Sequence, residues 1–314
     1  MPLNPNNIFF SGNPLDRAGN QRTDDEWVAQ KKAAQDTLFV PFWHLRPLIL
    51  PEAQAGLGRD VGWLPRAAFG ELLSVNSERL CVFLGLNRRG KALFAVDISD
   101  ASQPEDAGPF KGLGLFEDLR ELAMAGDMPP TELAIMAQGK SMVDWHLRHR
   151  FCSACGGETG LSEGGYKRNC GACGSDHFPR TDPVVIMLAT HDDACLVGRQ
   201  EAWGENMFSA LAGFMEPGET IEEAVARELA EEAALDIDAV HYVASQPWAF
   251  PSSLMIGCLA DATSRDFEID GIELAQAKWV SRVDIQAALK GEGTIGIPPK
   301  MAIARNLLEA WVSL

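Results

Sequence analysis

The chain reads as an α+β protein of more than one domain, and three observations carry that reading. Strand-like apolar runs recur in its first third and again beyond residue 184; a Cys-x-x-Cys pair repeats after fourteen residues near the middle; a capped helix opens after Gly218-Glu219-Thr220. At 314 residues the length exceeds one typical domain, and an apolar content of 46% can bury real cores. No run approaches the roughly 20 apolar residues that span a bilayer. No repeat or low-complexity tract is visible.

In chain order, the runs 80–86 and 92–96 flank the turn Asn87-Arg88-Arg89-Gly90 and predict a hairpin. The Gly, Pro and Asp content of 97–114 predicts loop. From Thr131 to Arg150 the apolar positions Leu133, Ile135, Met136, Ala137, Met142 and Trp145 predict a helix connecting the N-terminal region to the cysteines. We place an N-terminal domain at 1–130, the connecting helix at 131–150, a ribbon at 151–179 and a C-terminal domain at 180–314. The N-terminal domain carries no catalytic constellation, so its expected role is dimerisation or completion of a pocket.

Cys152, Cys155, Cys170 and Cys173, with Gly156, Gly157 and Gly174 trailing the pairs, have the spacing of a four-thiolate zinc ribbon. Four thiolates leave no open position for a substrate water, so one structural Zn²⁺ per chain is expected. Disulfides are the alternative. The start, Met1-Pro2-Leu3-Asn4-Pro5, is polar and proline-broken and does not resemble a signal peptide, which favours a reducing, cytoplasmic location. Cys81, Cys195 and Cys258 lie in apolar surroundings and are expected in the core. Zinc ribbons often bind nucleic acid, but a formal net charge of −17, with only Lys167 and Arg168 as a local basic pair, argues against non-specific binding.

Thr220 with Glu223 three residues on is a capping box, so a helix should run to about Ala233 on a core stripe of Ile221, Ala224, Val225 and Leu229. Glu228, Glu231 and Glu232 then share one side, within reach of a common point. Acids in a last helical turn are disfavoured by a few tenths to about 1 kcal/mol each. Three glutamates alone would read as a solvated face. Hard oxygen ligands on one helix face suit Mg²⁺ or Mn²⁺, whose remaining ligands are waters and phosphates.

Gly213, five residues, Glu219, seven residues, then Arg227-Glu228-Leu229-x-Glu231-Glu232 resembles the Nudix box, so the C-terminal domain is expected to be a Nudix α/β/α sandwich, preceded by the four-Cys ribbon and an N-terminal α/β Nudix-like domain. The family pattern has glycine where Ala234 stands. The resemblance implies that Glu228, Glu231 and Glu232 carry the catalytic metals, that Glu231 or Glu232 also acts as base, and that Gly213, Glu219 and Arg227 brace the loop and helix. It adds Glu273, before the strand Lys278-Trp279-Val280, as a further metal ligand; read alone, Glu273 is an ordinary loop acid.

Ser245-Gln246-Pro247-Trp248-Ala249-Phe250-Pro251-Ser252-Ser253 follows a short strand at 240–243 and precedes the apolar run 254–259. Trp248 and Phe250 offer flat faces, and Gln246 offers donor and acceptor, which suits a base-bearing ligand, although such a loop is more often core packing. Beside the box and the ribbon it is similar to the signature of the NADH pyrophosphatases, with Ala249 in place of a proline. By that resemblance Ser245, Gln246, Trp248, Phe250 and Ser253 bind substrate, Phe214 stacks on it, and Phe178 reaches the nucleotide pocket of a neighbouring subunit in a homodimer. Phe178 reads equally well as a buried aromatic. Asn13-Pro14-Leu15-Asp16-Arg17 matches the family's N-terminal region loosely. Ile297-Pro298-Pro299-Lys300 is expected to open a final helix reaching Trp311, with Lys300 near a phosphate or simply solvated.

The implied enzyme cuts the pyrophosphate of NADH or NAD⁺ to AMP and nicotinamide mononucleotide. The same fold could instead act on NAD-capped RNA ends, ADP-ribose or dinucleoside polyphosphates. A non-catalytic zinc-ribbon protein that binds nucleic acid or regulates is the alternative of another class, against which the intact glutamates speak.

Overall fold

The computed structural model describes residues 8–51, 59–74, 78–269 and 271–314. The start of the chain that was read as polar and proline-broken lies outside the described residues, as does Asp270. The chain forms two compact units, one of residues 12–180 with 249–252, the other of residues 8–11, 181–248 and 253–314.

The first unit opens with α1 (Asp25–Ala33), whose first amides are capped by Asp24: its Oδ1 accepts from Glu26 N at 2.9 Å. Strands β1 (Leu38–Trp43), β2 (Arg46–Leu50), β3 (Asp60–Val61), β4 (Leu64–Pro65), β5 (Cys81–Leu86), β6 (Ala92–Asp97) and β7 (Leu115–Phe116) form a mixed sheet in the order β3-β2-β1-β6-β5, with β4 on β1 and β7 on β2. β1 and β6 run parallel; β5 and β6 form the expected hairpin, its turn held by Asn87 Oδ1, which accepts from Arg89 N at 2.9 Å and Lys91 N at 3.1 Å. Phe39, Phe69, Phe83, Phe94 and Phe110 are fully buried in its core. After α2 (Leu119–Ala125), α3 (Pro130–Arg148) matches the expected connecting helix to within two residues and buries Leu133, Met136, Ala137 and Val143. The ribbon is a three-stranded antiparallel sheet of β8 (Thr159–Ser162), β9 (Lys167–Cys170) and β10 (Asp176–His177).

In the second unit, β11 (Asp182–His191), β12 (Ala194–Arg199), β13 (Leu211–Phe214), α4 (Ile221–Ala233), β14 (Ile237–Trp248), β15 (Ser253–Ala262), β16 (Gln276–Ser281), α5 (Arg282–Leu289) and α6 (Ile303–Val312) follow in order. The sheet order is β14-β15-β11-β12-β16, with β13 paired to β11, and β11 runs parallel to β15 from Asp182 opposite Ser253 to Thr190 opposite Asp261. Alternation along β11 divides its side chains between two cores. Ile186 and Leu188 pack with Ile285 of α5 and Leu307 and Trp311 of α6. Val185, Met187 and Ala189 pack with Ala224, Val225 and Leu229 of α4. Helices therefore cover both faces, the α/β/α sandwich expected.

Two boundaries differ from the sequence reading. The strand predicted at 240–243 is twelve residues long and includes Ser245, Gln246 and Trp248, so that only Ala249–Ser252 remains as turn, because residues 244–248 pair with 253–257 of β15. The final helix begins at Ile303, six residues after Ile297; Pro298 lies in the irregular segment before it, Pro299 O accepts from Ala302 N at 3.0 Å in a turn, and Lys300 is exposed. Among the described residues no helix is long and apolar enough to cross a membrane. Cys81, Cys195 and Cys258 are buried, and burial pushes the thiols of Cys195 and Cys258 up to about 12 and about 11, so they pack as apolar groups.

Candidate active site and zinc centre

The segment from β13 to α4 is organised by one guanidinium. The capping box forms as predicted, with Glu223 N donating to Thr220 Oγ1 at 3.2 Å and Thr220 N to Glu223 Oε2 at 2.7 Å. Arg227 then uses every N–H it has. Nε donates to Glu219 Oε1 at 2.5 Å, Nη2 to Glu219 Oε2 at 3.0 Å and Phe214 O at 2.9 Å, and Nη1 to Glu228 Oε1 at 2.8 Å and Glu231 Oε2 at 3.0 Å. Glu219 Oε2 also accepts from Glu216 N at 2.8 Å. The Arg227 guanidinium, helped by that amide, holds the Glu219 carboxyl down at about 2. The loop is thus tied to the helix by fixed charge over the whole neutral range.

Glu228 is buried at 8% exposure, and its carboxylate lies where a side chain on Gly213 would begin: a Cβ there would stand 1.8 Å from Glu228 Cδ. Only glycine at this point of β13 lets the acid in. Burial pushes the Glu228 carboxyl up, the Arg227 contact opposes this, and the charges of Glu231 and Glu273 push it further. Glu232 is buried at 5%, whereas the Glu231 side chain is 62% exposed. Among the described residues only the four cysteines bring three or more metal-ligating atoms within 4.8 Å of one another, so the oxygens of Glu228, Glu231 and Glu232 are spread more widely than that. The reason is local. Arg227 Nη1 holds Glu228 and Glu231, while Glu232 lines a neighbouring cavity. Hard carboxylate oxygens, two of them on buried side chains, still fit a divalent cation, whose charge would offset the burial of Glu228 and Glu232. Glu273 is exposed beside β16.

The cavity, about 230 Å³, is lined by Glu232, Gln246, Trp248, Trp203, Met255 and Leu274 among others. Period-two alternation puts Gln246 and Trp248 on the cavity face of β14 and Ser245 on the other, where it accepts from Tyr242 OH at 3.3 Å. Gln246 departs from its predicted part as donor and acceptor for a base. It is fully buried, with Nε2 donating to Met301 O at 2.8 Å and Phe9 O at 3.2 Å and Oε1 accepting from Ile303 N at 3.0 Å, so its amide ties β14 to the start of α6. Ser253 pairs with Trp248 across the β14–β15 turn. Phe250 lies in that turn, half-buried, and does not line the cavity. Phe214 and Phe178 are 61% and 64% exposed, which removes the buried-aromatic reading of Phe178 within this chain.

Cys152, Cys155, Cys170 and Cys173 meet as the spacing predicted. Cys152 and Cys173 Sγ stand 3.7 Å apart and Cys155 and Cys170 Sγ 3.5 Å, the separations of thiolates around a tetrahedral ion rather than of bonded sulfurs. Ala154 N donates to Cys152 Sγ at 3.4 Å and Ser175 Oγ lies 3.2 Å from Cys173 Sγ, polar support expected around thiolate ligands. The basic pair is not presented to a polyanion. Arg168 is buried, donating to Thr159 Oγ1 at 2.6 Å and to His146 Nδ1 at 2.9 Å, and Lys167 pairs with Glu163 at 2.9 Å and Asp176 at 3.4 Å.

A glycine-seated glutamate, a Glu–Arg brace and a capped acidic helix on an α/β/α sandwich define the Nudix hydrolases. The NUDIX domain model matches residues 179–297, the NADH pyrophosphatase zinc ribbon model 147–178, and the NADH pyrophosphatase-like rudimentary NUDIX model 36–145. The chain is similar to the human NAD-capped RNA hydrolase NUDT12, 34% identical over 98% of this chain and 73% of the relative. It is 32% identical to the human mitochondrial NAD(P)H pyrophosphatase NUDT13, over 93% and 88%, and 36% identical to the NAD-capped RNA hydrolase NudC of Mycobacterium bovis, over 74% and 75%. A crystal structure of a NUDIX hydrolase from Nitrosomonas europaea matches 52% of this chain and 90% of that one, at 23% identity and a TM-score of 0.42. The chain belongs to the Nudix hydrolase family, in its zinc-ribbon NADH pyrophosphatase group.

Proposed function

We propose that the chain hydrolyses the diphosphate of NADH and NAD⁺ to AMP and nicotinamide mononucleotide. The observation that carries this is the Glu228 carboxylate seated against Gly213, one turn before Glu232, which lines a cavity walled by Trp248 and Trp203. Glu228, Glu231 and Glu232 would hold Mg²⁺ or Mn²⁺, with Glu273 as a further ligand. Bound divalent ions supply neutralisation of phosphoryl charge and a more acidic water. Glu231 or Glu232 accepts the proton of the attacking water. Arg227 and Glu219 keep α4 in register with the Phe214 carbonyl, and Phe214 offers an exposed ring to a base. Trp248 and Ser253 receive the nucleotide; Gln246 shapes the cavity from behind; Ser245 and Phe250 support the strand and the turn. One zinc per chain, held by the four cysteines, stabilises the ribbon. The boundaries 1–130, 131–150, 151–179 and 180–314, a homodimer in which the exposed Phe178 meets the partner's pocket, and a cytoplasmic location complete the reading.

A second substrate is favoured by two relatives, both NAD-capped RNA hydrolases. A capped RNA end presents the same adenylate and diphosphate. The occupied Lys167 and Arg168 and the net charge of −17 leave little to bind the RNA body, so recognition would rest on the cap. Comparing kcat/KM for NADH, NAD⁺, ADP-ribose and NAD-capped RNA decides between them. NADH is expected to lead; a capped RNA at least about tenfold above it, a difference of roughly 1.4 kcal/mol, would move the function to RNA turnover.

A further inference from the structure

The turn joining β14 to β15, Ala249–Ser252, groups with the first unit, although the strands it joins belong to the second. Its contacts there are made by α3 and the start of α2. Lys140, only 8% exposed, donates from Nζ to Ala249 O at 2.7 Å. Ser141 Oγ donates to Pro251 O at 3.3 Å. The Phe250 ring lies under two cations, the Arg120 guanidinium at 4.6 Å and the Lys140 ammonium at 5.0 Å.

A lysine in this place is costly. Burying an ammonium removes its water, and burial draws the Lys140 pKa down against the opposing charges of Asp144 and Asp118. A methionine or leucine would fill the same helical position without that penalty. The return is directional: Nζ reaches a main-chain carbonyl of the turn, where an apolar side chain could only fill space. Trp248 and Ser253 are cross-strand partners at the two ends of this turn, and Trp248 lines the cavity beside Glu232.

We propose that Lys140 is a positioning residue for substrate binding: through Ala249 O and the Phe250 ring it fixes the Ala249–Ser252 turn, and the turn sets Trp248 and Ser253. This rests on the reading of that strand pair as the nucleotide-binding segment.

The test is steady-state kinetics on NADH with the intact, zinc-loaded protein, Lys140→Met and Lys140→Arg. Losing one charge-assisted hydrogen bond should raise KM about tenfold in Lys140→Met, with kcat within about twofold and zinc content unchanged. Lys140→Arg, which keeps charge and donor, should restore KM to within about threefold. A folded Lys140→Met protein with wild-type KM, or with kcat alone reduced, overturns the proposal. If Lys140→Met does not fold, the exposed Arg120→Gln variant decides: a rise in KM of about twofold supports a positioned turn, and no rise makes Lys140 a folding residue only. Wild-type protein that fails to cleave NADH would instead sink the functional reading, which separates the two failures.

Discussion

In the first unit β1 runs parallel to β6 within a mixed sheet, and in the second β11 runs parallel to β15 in the same manner. Their helices differ. α3 turns Lys140, Asp144 and His146 into its own unit, where each has a hydrogen-bond or ion-pair partner. α4 carries Glu228 against a glycine and Glu232 on a cavity. A related sheet therefore persists without the chemistry, and the chemistry needs three local things together: a glycine at the strand, a Glu–Arg brace, and acids on the next helix face. A fold of this kind defines where a site can be, and side chains decide whether it is one.

The comparison can be broken first at the zinc centre. Cys152→Ser should lose the metal and with it a stabilisation on the order of 10 kcal/mol, unfolding the ribbon; metal analysis and near-ultraviolet circular dichroism would show it, and an unchanged fold without zinc would contradict the ribbon's dependence on the ion. Next comes Glu232→Gln, expected to lower kcat on NADH about a thousandfold, roughly 4 kcal/mol of barrier, while the unfolding midpoint stays in place. Near wild-type turnover would separate Glu232 from the reaction.

A smaller effect belongs to the first unit. Burial, with the nearby Arg168 charge, holds the His146 pKa down at about 4, and its neutral ring donates Nε2–H to Gly165 O at 2.8 Å while Nδ1 accepts from Arg168. The unfolded chain takes up this proton near the ordinary value of 6.5, so between about 6.5 and 4 it binds more protons than the folded one, and stability falls as pH falls. Above 6.5 the contribution is fully present; at pH 5 about 2 kcal/mol of it should be gone, read from urea midpoints, with the slope flattened in His146→Gln. The smallest change is at the end of α4. Ala234 sits left-handed at φ 49°, donating to Ala230 O at 3.0 Å, so Ala234→Gly should stabilise by about 1 kcal/mol without altering kcat.

What the sequence made legible follows from how local each signal is. The capping box and the four-cysteine cluster involve residues close in the chain, and both appear as read; Ala234, where the family pattern has glycine, takes the left-handed conformation. β1 was harder to read because Pro41 interrupts it, and proline argues against an inner strand. The structure resolves this: on one side β1 pairs with β4 at Leu38 and Phe39 and with β2 only from Phe42, so Pro41 falls in the gap where no N–H is needed. The length of β14 was hidden by Pro247 in the same way, and its register is set by β15 rather than by local propensity. The fate of Gln246 and Lys140 could not be read at all. Their partners, Met301 and Ile303 in one case and Ala249 in the other, lie 55 to 57 and 109 residues away. The arrangement of the carboxylates is non-local in a related way, since helical spacing gives the face while Arg227 Nη1 holds Glu228 and Glu231 together.

The most direct measurement of the central claim follows AMP released from NADH by the intact, zinc-loaded protein in Mg²⁺, in Mn²⁺, and in a chelator too brief in contact to strip the ribbon. The account predicts AMP and reduced nicotinamide mononucleotide in stoichiometric amounts with either divalent ion, and none with chelator. Cleavage that persists in chelator, or release of nicotinamide in place of AMP, would contradict it.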